Sequence, residues 1–362
     1  MPKRLTRMIA TLSLVIASGL PLAVRAAPET FLPQDYLRGA WWLYKSVFVE
    51  EGRVVDPSNG SVSHSEGQGY GMLIAVAADD RAGFDALWSW TKKTLYVRGD
   101  ALAAWKWDPN AAGHVTDPNN ASDGDLLIAW ALFRAAATWN APELKAEARA
   151  ILRDLAAKAV IEVKGYGPVL LPAAHGFSAG EQAGAPVVNL SYWVFPALKD
   201  LAGFDDTFPA EALFASGQAL LSKGRFGSSD LPADWMSLEG DVPRPAPTYA
   251  PVFGYEAIRI PLYAAWALAE PPRLLDGLDK RWRQHGAPAL TVMDLATAAP
   301  LTAMSDPGYR AVSTLLSCSL SSGGTGDEIA PFAPTEYYPS TLHLLSLLAI
   351  SERYASCLPS LN

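Results

Sequence analysis

The chain has 362 residues, of which 50% are hydrophobic and 18% are charged, and its formal net charge at pH 7 is −8. A chain of this length and apolar content can bury a large core, which excludes an intrinsically disordered protein. Its acidic balance disfavours proteins that bind nucleic acid or anionic membrane surfaces, so neither is predicted as a partner.

The first 26 residues have the pattern of a secretory signal peptide. Three basic residues precede an apolar stretch from 8 to 24, and Val24 and Ala26 provide the small residues of a cleavage site. A membrane anchor is the alternative, but Pro21 interrupts the stretch, which is short for a spanning helix. We therefore predict cleavage after Ala26 and a periplasmic or secreted protein without a membrane span. Removing this segment, which holds four basic side chains and no acidic one, changes the net charge from −8 to −12.

Helical spacing of apolar residues predicts eleven helices in the remainder of the chain. They lie near residues 34–48, 69–79, 82–95, 124–139, 143–160, 188–201, 210–223, 254–269, 273–285, 306–320 and 339–354. The clearest apolar stripe is in 143–160, where Pro142 is a start signal. Short strands are expected around Val163 and Val169–Leu171. Because we find neither an internal repeat nor a low-complexity linker, residues 27–362 are predicted to form one domain.

The cysteines and histidines set limits on metal and disulfide chemistry. Cys318 and Cys357 are the two cysteines of the chain. In an oxidising compartment they can form one disulfide, and two buried free thiols are the alternative. The five histidines are scattered and show no metal-binding spacing, so neither a metal site nor another cofactor is predicted.

A first carboxylate-bearing segment lies at residues 65–72, which read Ser-Glu-Gly-Gln-Gly-Tyr-Gly-Met. Glycine at every second position allows close approach of the backbone, so Glu66 could sit in a tight cleft. The structural alternative is an ordinary helix start, with Ser65 as the N-cap and Gln68 completing a capping box. The segment alone does not separate these two interpretations.

Two further segments place carboxylates ahead of apolar helices. Residues 119–125 read Asn-Asn-Ala-Ser-Asp-Gly-Asp. In this segment Ser122 and Asp125 match a capping box, which leaves Asp123 without a structural role. Later in the chain, Glu256 and Arg259 have the spacing of a helical ion pair, which is usually only a surface feature.

Together these segments resemble family 8 of the glycoside hydrolases. The family signature, Ala-Ser-Asp-Gly-Asp followed by an apolar helix that ends in Trp, is similar to residues 121–139, and its Ser-Glu-Gly-x-Gly-Tyr-Gly-Met segment is similar to residues 65–72. Three further patches follow in the family's order, at 105–107, 189–193 and 337–340. The resemblance implies an all-α fold, an (α/α)6 barrel of about a dozen helices with long loops and a few short strands.

The resemblance also implies an inverting endo-β-1,4-glucanase and assigns its carboxylates. Glu66 matches the general acid, and Asp123 matches the aspartate that binds and distorts the sugar at the cleavage subsite. Glu256 stands where related glucanases usually have Asp as the base, so its carboxylate is one methylene farther from the backbone. Because this departure puts the base in doubt, Asp234 and Glu336 are kept as alternative bases.

The resemblance places aromatic and basic side chains in the substrate cleft. Trp105, Trp107 and Tyr192 are expected to stack on flat sugar faces, because aromatic rings bury a large area at a low entropic cost. Tyr70 is also assigned to substrate binding. Arg259 is expected either to hydrogen-bond sugar hydroxyls or to orient the base, and the sequence does not separate these roles.

The expected partner is a β-1,4-glucan polysaccharide. The chain looks most similar to the endoglucanases associated with bacterial cellulose synthesis, which implies a loose association with a cellulose synthase complex. The same fold acting on chitosan or xylan is one alternative. A non-catalytic glucan-binding or assembly protein is another, with Glu256 marking lost activity, and a metal-dependent hydrolase is a third.

Overall fold

A computed structural model describes residues 34–268, 273–283, 290–321 and 328–358. The predicted signal peptide lies outside these residues. Within them, no helix is long and apolar enough to cross a membrane. Eleven α-helices lie in the described ranges: α1 (Gln34–Phe48), α2 (Ser65–Ala77), α3 (Arg81–Leu95), α4 (Ser122–Thr138), α5 (Pro142–Ala159), α6 (Phe195–Asp200), α7 (Ala210–Lys223), α8 (Arg259–Ala267), α9 (Arg273–Arg283), α10 (Pro307–Leu320) and α11 (Tyr337–Arg353).

Short antiparallel strands occupy the loops between the helices and form sheets of two or three strands. The strands are β1 (Val49–Glu50), β2 (Arg53–Val54), β3 (Ser63–His64), β4 (Lys106–Trp107), β5 (Val160–Val163), β6 (Gly167–Leu170), β7 (Val187–Val188), β8 (Met236–Ser237), β9 (Arg244–Pro245), β10 (Val252–Phe253), β11 (Thr291–Asp294) and β12 (Pro300–Ala303). The predicted strands around 163 and 169–171 are confirmed as the hairpin β5–β6, in which Ile161 faces Val169.

Six helices form a closed inner ring. Each contacts the next in the order α2, α4, α6, α8, α10, α11, and α11 returns to α2. Five of the described helices pack outside this ring. Helix α1 packs against α2 and α11, α3 packs against α2, and α5 packs against α4. Helix α7 packs against α6, and α9 packs against α10. This is the predicted (α/α)6 barrel, with five outer helices among the described residues.

The apolar pattern of each helix explains its layer. Inner helices are apolar around nearly their whole circumference, as in α8, where every residue from Arg259 to Ala267 is buried. Outer helices bury one stripe. In α5 the predicted stripe is confirmed, because Leu144, Ala148, Ile151, Leu152, Leu155 and Ala159 are all buried. Hydrophobic burial of these stripes against the ring supplies the main driving force for the fold.

Two predicted helices are shorter in the structure. The segment predicted at 188–201 is helical only in α6, since Asn189 accepts a hydrogen bond from the Ser191 backbone and forms a separate 3-10 turn. The segment predicted at 254–269 is helical only in α8, because Asp234 binds backbone N–H groups of the preceding turn. In both places a side chain competes with the helix for backbone hydrogen bonds.

The two cysteines are joined. Cys318 of α10 forms a disulfide with Cys357, which lies just after α11, and the two positions are 39 residues apart in the chain. Of the two alternatives left open by the sequence, the structure therefore contains the disulfide. The link connects two neighbouring helices of the ring, so it restricts the unfolded chain more than it reshapes the folded one.

Candidate active site

Arg259 is the centre of a carboxylate cluster at one end of the ring. It is the first residue of α8 and is 3% exposed. Its Nη1 forms an ion pair with Glu66 and lies 3.1 Å from Oδ2 of Asp123. Its Nη2 forms an ion pair with Glu256 and donates to Oγ of Ser191 at 3.0 Å. The structure thus brings together the four charged residues selected from the sequence.

The cluster lies where inner helices begin. Glu66 and Asp123 are the second residues of α2 and α4, and Glu256 lies three residues before α8. Exposed backbone N–H groups give each helix start a partial positive charge, which favours nearby carboxylates. Three carboxylates nevertheless share one guanidinium, so the cluster carries an excess of negative charge.

A glycine allows the starts of α2 and α4 to touch. A Cβ atom at Gly124 would lie 2.2 Å from Oγ of Ser65 and 2.8 Å from the backbone nitrogen of Glu66. No side chain fits at these distances. The glycine of the Ala-Ser-Asp-Gly-Asp segment therefore has a physical reason, since it brings Asp123 and Glu66 to the same guanidinium.

The expected capping boxes at these helix starts are wrong. Neither α2 nor α4 has a side-chain cap. Gln68 instead donates to Oγ1 of Thr91 and accepts from the Val54 backbone. Asp125 accepts hydrogen bonds from the Ala103 backbone at 2.8 Å and from the amide of Asn120 at 2.8 Å. Gln68 thus fixes α2 to α3 and β2, and Asp125 fixes α4 to the loop before it, instead of capping their own helices.

Burial and charge shift the proton affinities of the cluster. Asp123 is 2% exposed, and its burial raises its pKa well above the usual range, with a further contribution from the charge of Glu256. The side chain of Glu256 is 31% exposed, so water reaches one edge of it. Desolvation by the surrounding protein, followed by the charge of Asp234, still raises its pKa to about 7, against hydrogen bonds from Asn189 and Ser191. Glu256 can therefore exchange a proton near neutral pH.

Tyrosines surround the cluster on the ring side. The hydroxyl of Tyr70 donates to Oε1 of Glu66 at 2.9 Å and lies 2.7 Å from the hydroxyl of Tyr263. Tyr70 is fully buried, so its ring presents no open surface for a sugar, and its hydroxyl contacts Glu66, Tyr263 and Arg259. The ring of Tyr192 lies 5.5 Å from Cζ of Arg259. Tyr263 was missed from the sequence, although its position four residues after Arg259 puts both on one helix face.

The two selected tryptophans lie on the loop beside α2. The carbonyl of Trp105 accepts a hydrogen bond at 3.0 Å from the backbone N–H of Ser65, the residue that precedes Glu66. This bond holds Trp105 beside the start of α2. Its indole stacks on His64 with ring centres 5.9 Å apart. Trp107 packs edge-on against Trp90 at 5.7 Å. In the described part of the chain, neither indole contacts the Arg259 cluster directly.

An aromatic stack that the sequence did not reveal extends from Tyr192. Trp235 stacks on Tyr249 with ring centres 4.4 Å apart and on Phe177 at 5.7 Å, and it meets the edge of Tyr192 at 6.0 Å. Trp235 and Tyr249 lie in the connection between α7 and α8, whereas Phe177 and Tyr192 come from the stretch between β6 and α6. Their convergence depends on tertiary folding, so no local pattern could identify it.

The two alternative bases lie outside the cluster. The carboxylate of Asp234 accepts hydrogen bonds from the backbone of Gly254 and Ala257. Glu336 is exposed immediately before α11. Glu256 is thus the third carboxylate that meets Arg259. Within the described ranges, no group of three or more His, Cys, Asp or Glu side chains is arranged to hold a metal ion.

Comparisons with known proteins show similarity along most of the chain. The sequence model described as "Glycosyl hydrolases family 8" matches residues 22–352. A "Probable endoglucanase" of Novacetimonas hansenii is 37% identical over 329 residues, covering 88% of this chain and 92% of that protein. The structure of endo-beta-1,4-glucanase CMCax from Acetobacter xylinum is 36% identical, with a TM-score of 0.78, and the match covers 88% of this chain and 99% of that one.

A more distant structure shows only the shared fold. A reducing-end-xylose releasing exo-oligoxylanase is 16% identical, with a TM-score of 0.71, and the match covers 88% of this chain and 91% of that one. At this identity the likeness indicates how the helices are arranged and says nothing about the polymer that this chain cleaves.

Proposed function

This chain belongs to family 8 of the glycosyl hydrolases, and from this premise we propose that it is an inverting endo-β-1,4-glucanase acting on cellulose-type glucan. The observation that carries the proposal is the cluster in which Arg259 holds Glu66, Asp123 and Glu256 at the opening of the ring. The endoglucanase relatives, which align along most of the chain, support the substrate class.

Inversion needs one carboxyl group on each side of the scissile bond. In the proposed reaction Glu66 gives its proton to the glycosidic oxygen as the bond between that oxygen and the anomeric carbon breaks. Glu256 takes a proton from a water whose oxygen forms the new bond to the same carbon from the opposite face. One proton is therefore delivered and one is removed in each turnover, and bulk solvent restores both groups.

Glu66 must be protonated when substrate is in place. Its Oε1 atom takes part in the ion pair with Arg259 and also accepts a hydrogen bond from the hydroxyl of Tyr70. We propose that Glu66 gains its proton when a glycosidic oxygen takes the place of the guanidinium contact. The entering sugar also excludes water from the side chain, which is 23% exposed, and desolvation favours the neutral acid.

Glu256 has properties that suit a base. Its raised pKa makes the carboxylate a stronger proton acceptor than an ordinary surface glutamate. Oε2 is held by Asn189 at 3.1 Å, by Ser191 and by Arg259. Among the described residues no hydrogen bond to Oε1 is found, so this oxygen is available to the attacking water. The longer glutamate side chain is thus anchored at one oxygen and open at the other.

The other selected residues are proposed to bind glucan. Asp123 keeps Oδ2 on Arg259 and Oδ1 on the Gly124 backbone, and it would hydrogen-bond a hydroxyl of the sugar that is cleaved. Such bonds lower the barrier where they strengthen as the ring flattens. Trp105, which is bound to the residue before Glu66, and Tyr192, which lies against Arg259, are both partly exposed and would supply faces for neighbouring sugars. Trp107 would bind farther along the same loop.

We also propose a cellular setting for the activity. Residues 1–26 would export the chain to the periplasm or the medium, leaving one catalytic domain over residues 27–362. The acidic surface suits a neutral polysaccharide and not an anionic partner. A loose association with a cellulose synthase complex belongs to this proposal, and co-purification of the two from cells that make cellulose would test it.

The proposed activity is tested by release of reducing ends from carboxymethylcellulose, chitosan and xylan by the mature protein. We expect carboxymethylcellulose to be cleaved fastest, with the first product in the α configuration by NMR. Faster cleavage of chitosan or xylan would overturn the substrate assignment. Glucan binding with no reducing ends at any pH would instead indicate a non-catalytic binding protein, and loss of activity on chelation would indicate a metal-dependent hydrolase.

A further inference from the structure

A buried carboxylate, that of Asp234, hydrogen-bonds the turn that carries Glu256. Asp234 is 8% exposed, and its Oδ1 accepts hydrogen bonds from the backbone nitrogens of Gly254 at 2.7 Å and Ala257 at 2.9 Å. The backbone nitrogen of Asp234 donates to the carbonyl of Val252 at 2.8 Å. Both the strand that enters the turn and the turn itself are therefore fixed to one residue, and Glu256 lies between the two anchored positions.

Asp234 packs so closely against the start of this turn that residue 254 has no room for a side chain. A Cβ atom at Gly254 would lie 2.6 Å from Oδ2 of Asp234. The carboxylate thus occupies the space that a side chain would take. A carboxylate that accepts several backbone N–H bonds in one turn defines the backbone direction there, and that direction sets where the Glu256 side chain points.

Where the structure describes the chain, Asp234 is held without a cation, as Asp125 is, whereas Asp123 and Asp205 each pair with arginine. Among the described residues, no ion pair includes Asp234, and its hydrogen-bond partners are backbone N–H groups. Burial raises the pKa of Asp234, and the N–H groups of residues 254, 256 and 257 oppose that effect. Its charge in turn contributes to the raised pKa of Glu256.

Other charged and titratable groups face Glu256 from neighbouring elements. Arg259 approaches from α8 and Asp123 from α4, and three tyrosines lie within electrostatic reach: Tyr192, Tyr263 and Tyr338. The tyrosines are neutral near pH 7, because burial raises the pKa of each of them. Arg259 is shared with two further carboxylates. Asp234 differs from these groups because it both hydrogen-bonds the turn that carries Glu256 and contributes its charge to the raised pKa of Glu256.

We propose that Asp234 is a positioning residue for hydrolysis, which fixes the turn that carries Glu256 and places a second, unreacting negative charge behind it. The proposal rests on the proposed role of Glu256 as base. It assigns Asp234 no contact with the glucan. It also gives a role to this carboxylate, an alternative base from its sequence position, whose Oδ1 accepts two backbone N–H bonds.

Two substitutions separate the mechanical contribution of Asp234 from its charge. Asp234→Asn keeps an oxygen that can accept the backbone N–H bonds and removes the charge. We expect the acid limb of kcat/KM to move to lower pH, since Glu256 then loses its proton more easily, with kcat at the optimum within about tenfold of the wild type. Asp234→Ala removes both contributions. We expect kcat to fall about 100-fold with KM on cello-oligosaccharides changed less than threefold, because small misplacements of a reacting group carry such a cost.

Asp205→Asn is the matched control. Asp205 is also buried, at 7% exposed, and accepts a backbone hydrogen bond within a turn, from Thr207 at 2.9 Å, but it lies away from the cluster. Its pH profile and kcat should equal those of the wild type. The proposal is overturned if Asp234→Asn leaves the acid limb in place or moves it to higher pH. It is also overturned if a folded Asp234→Ala protein keeps wild-type kcat.

Glu256→Gln in the same assay separates failure of this proposal from failure of the proposed function. If Glu256→Gln is inactive while both Asp234 variants behave like the wild type, only the role of Asp234 is wrong. If Glu256→Gln keeps full turnover, Glu256 is not the base, and the role of Asp234 falls with it.

Discussion

At the end of the ring where the inner helices begin, Arg259 is shared by three carboxylates, whereas at the end where they finish, Arg134 is shared by two. Arg134, near the end of α4, lies 2.8 Å from Asp200 of α6 and 2.5 Å from Glu352 of α11. Each of these carboxylates also accepts an indole N–H at 2.8 Å, from Trp130 of α4 and Trp266 of α8, respectively. The Arg134 cluster therefore joins four inner helices.

The two clusters differ in how well their charges are matched. Each carboxylate at Arg134 has two strong donors, and nearby cations satisfy helix ends: Lys199 donates to the Ala267 carbonyl, and Arg353 donates to the Trp266 carbonyl. Cations are favoured at helix C-termini, so these contacts stabilise this end of the ring. At Arg259 the negative charge exceeds the positive charge, and the pKa values of Asp123 and Glu256 are raised. The same residue types join the helices at one end and, in the proposed mechanism, prepare proton transfer at the other.

The largest expected effect is a contrast between matched amide substitutions at the two ends. Glu66→Gln and Glu256→Gln should each lower kcat on carboxymethylcellulose by about 10²- to 10⁴-fold, the usual contribution of a general acid or base. Glu352→Gln and Asp200→Asn should stay within about threefold, because they touch no reacting group. A comparable loss in all four variants would mean that both clusters act through stability. Circular dichroism checks that each variant is folded.

A smaller effect is expected from shortening the base. Glu256→Asp retracts the carboxylate by one methylene while the turn and Asp234 stay in place. Since the site is fitted to glutamate, we expect kcat to fall by up to about 100-fold, with more activity left than in Glu256→Gln. An Asp variant as inactive as the Gln variant would show that reach, and not only the carboxylate, decides the reaction.

The pH dependence gives the next effect in size. Because the pKa of Glu256 is raised to about 7 and the base acts deprotonated, kcat/KM should rise with pH up to roughly 7 and fall about tenfold per unit below it. Glu352→Gln should leave this acid limb unchanged, since Glu352 lies at the other end of the ring. An acid limb near the ordinary glutamate value would contradict the assignment of Glu256 as the group that titrates.

The smallest effect concerns stability alone. Arg134→Met removes the cation that joins Asp200 and Glu352, and the side chain of Arg134 is 23% exposed. Since solvent screens part of the interaction, we expect about 1–2 kcal/mol of lost stability and a lower melting temperature, with kcat unchanged below the transition. Arg259→Met should differ by losing kcat even below the transition, and it should also lower the melting temperature, because three carboxylates lose their buried cation. Calorimetry and initial rates on the same samples distinguish the two.

Much of the fold could be predicted because its signals are local. Apolar stripes such as that of α5 depend on residues three or four apart, and they gave all eleven helices. The starts of α6 and α8 were predicted too early. At α6 the signals are local, the turn at Asn189 and Pro196 in the first turn of the helix, and the apolar pattern outweighed them. At α8 the hydrogen bond between Asp234 and Gly254 joins residues 20 apart, so it forms only in the folded protein. The closed ring was predicted from the family resemblance, since apolar periodicity identifies helices and not their arrangement.

The site was predictable to the extent that its residues lie in the recognisable segments. Glu66, Asp123 and Glu256 were selected because they match the family or depart from it by one methylene, and not because spacing showed that they meet. The role of Asp125 was misread, because a capping box and a bond to the Ala103 backbone require the same residue types. The stack around Trp235 draws on distant loops, so it had no sequence signal.

The proposed mechanism depends most on which carboxylate gives the proton and which removes it. The direct test compares Glu66→Gln and Glu256→Gln on carboxymethylcellulose and on a dinitrophenyl cello-oligosaccharide, whose leaving group departs without protonation. Glu66→Gln should be severely impaired on the polymer and nearly as active as the wild type on the dinitrophenyl substrate, while Glu256→Gln should be impaired on both. The reverse pattern, or equal losses for both variants on both substrates, would contradict the assignment of Glu66 as acid and Glu256 as base.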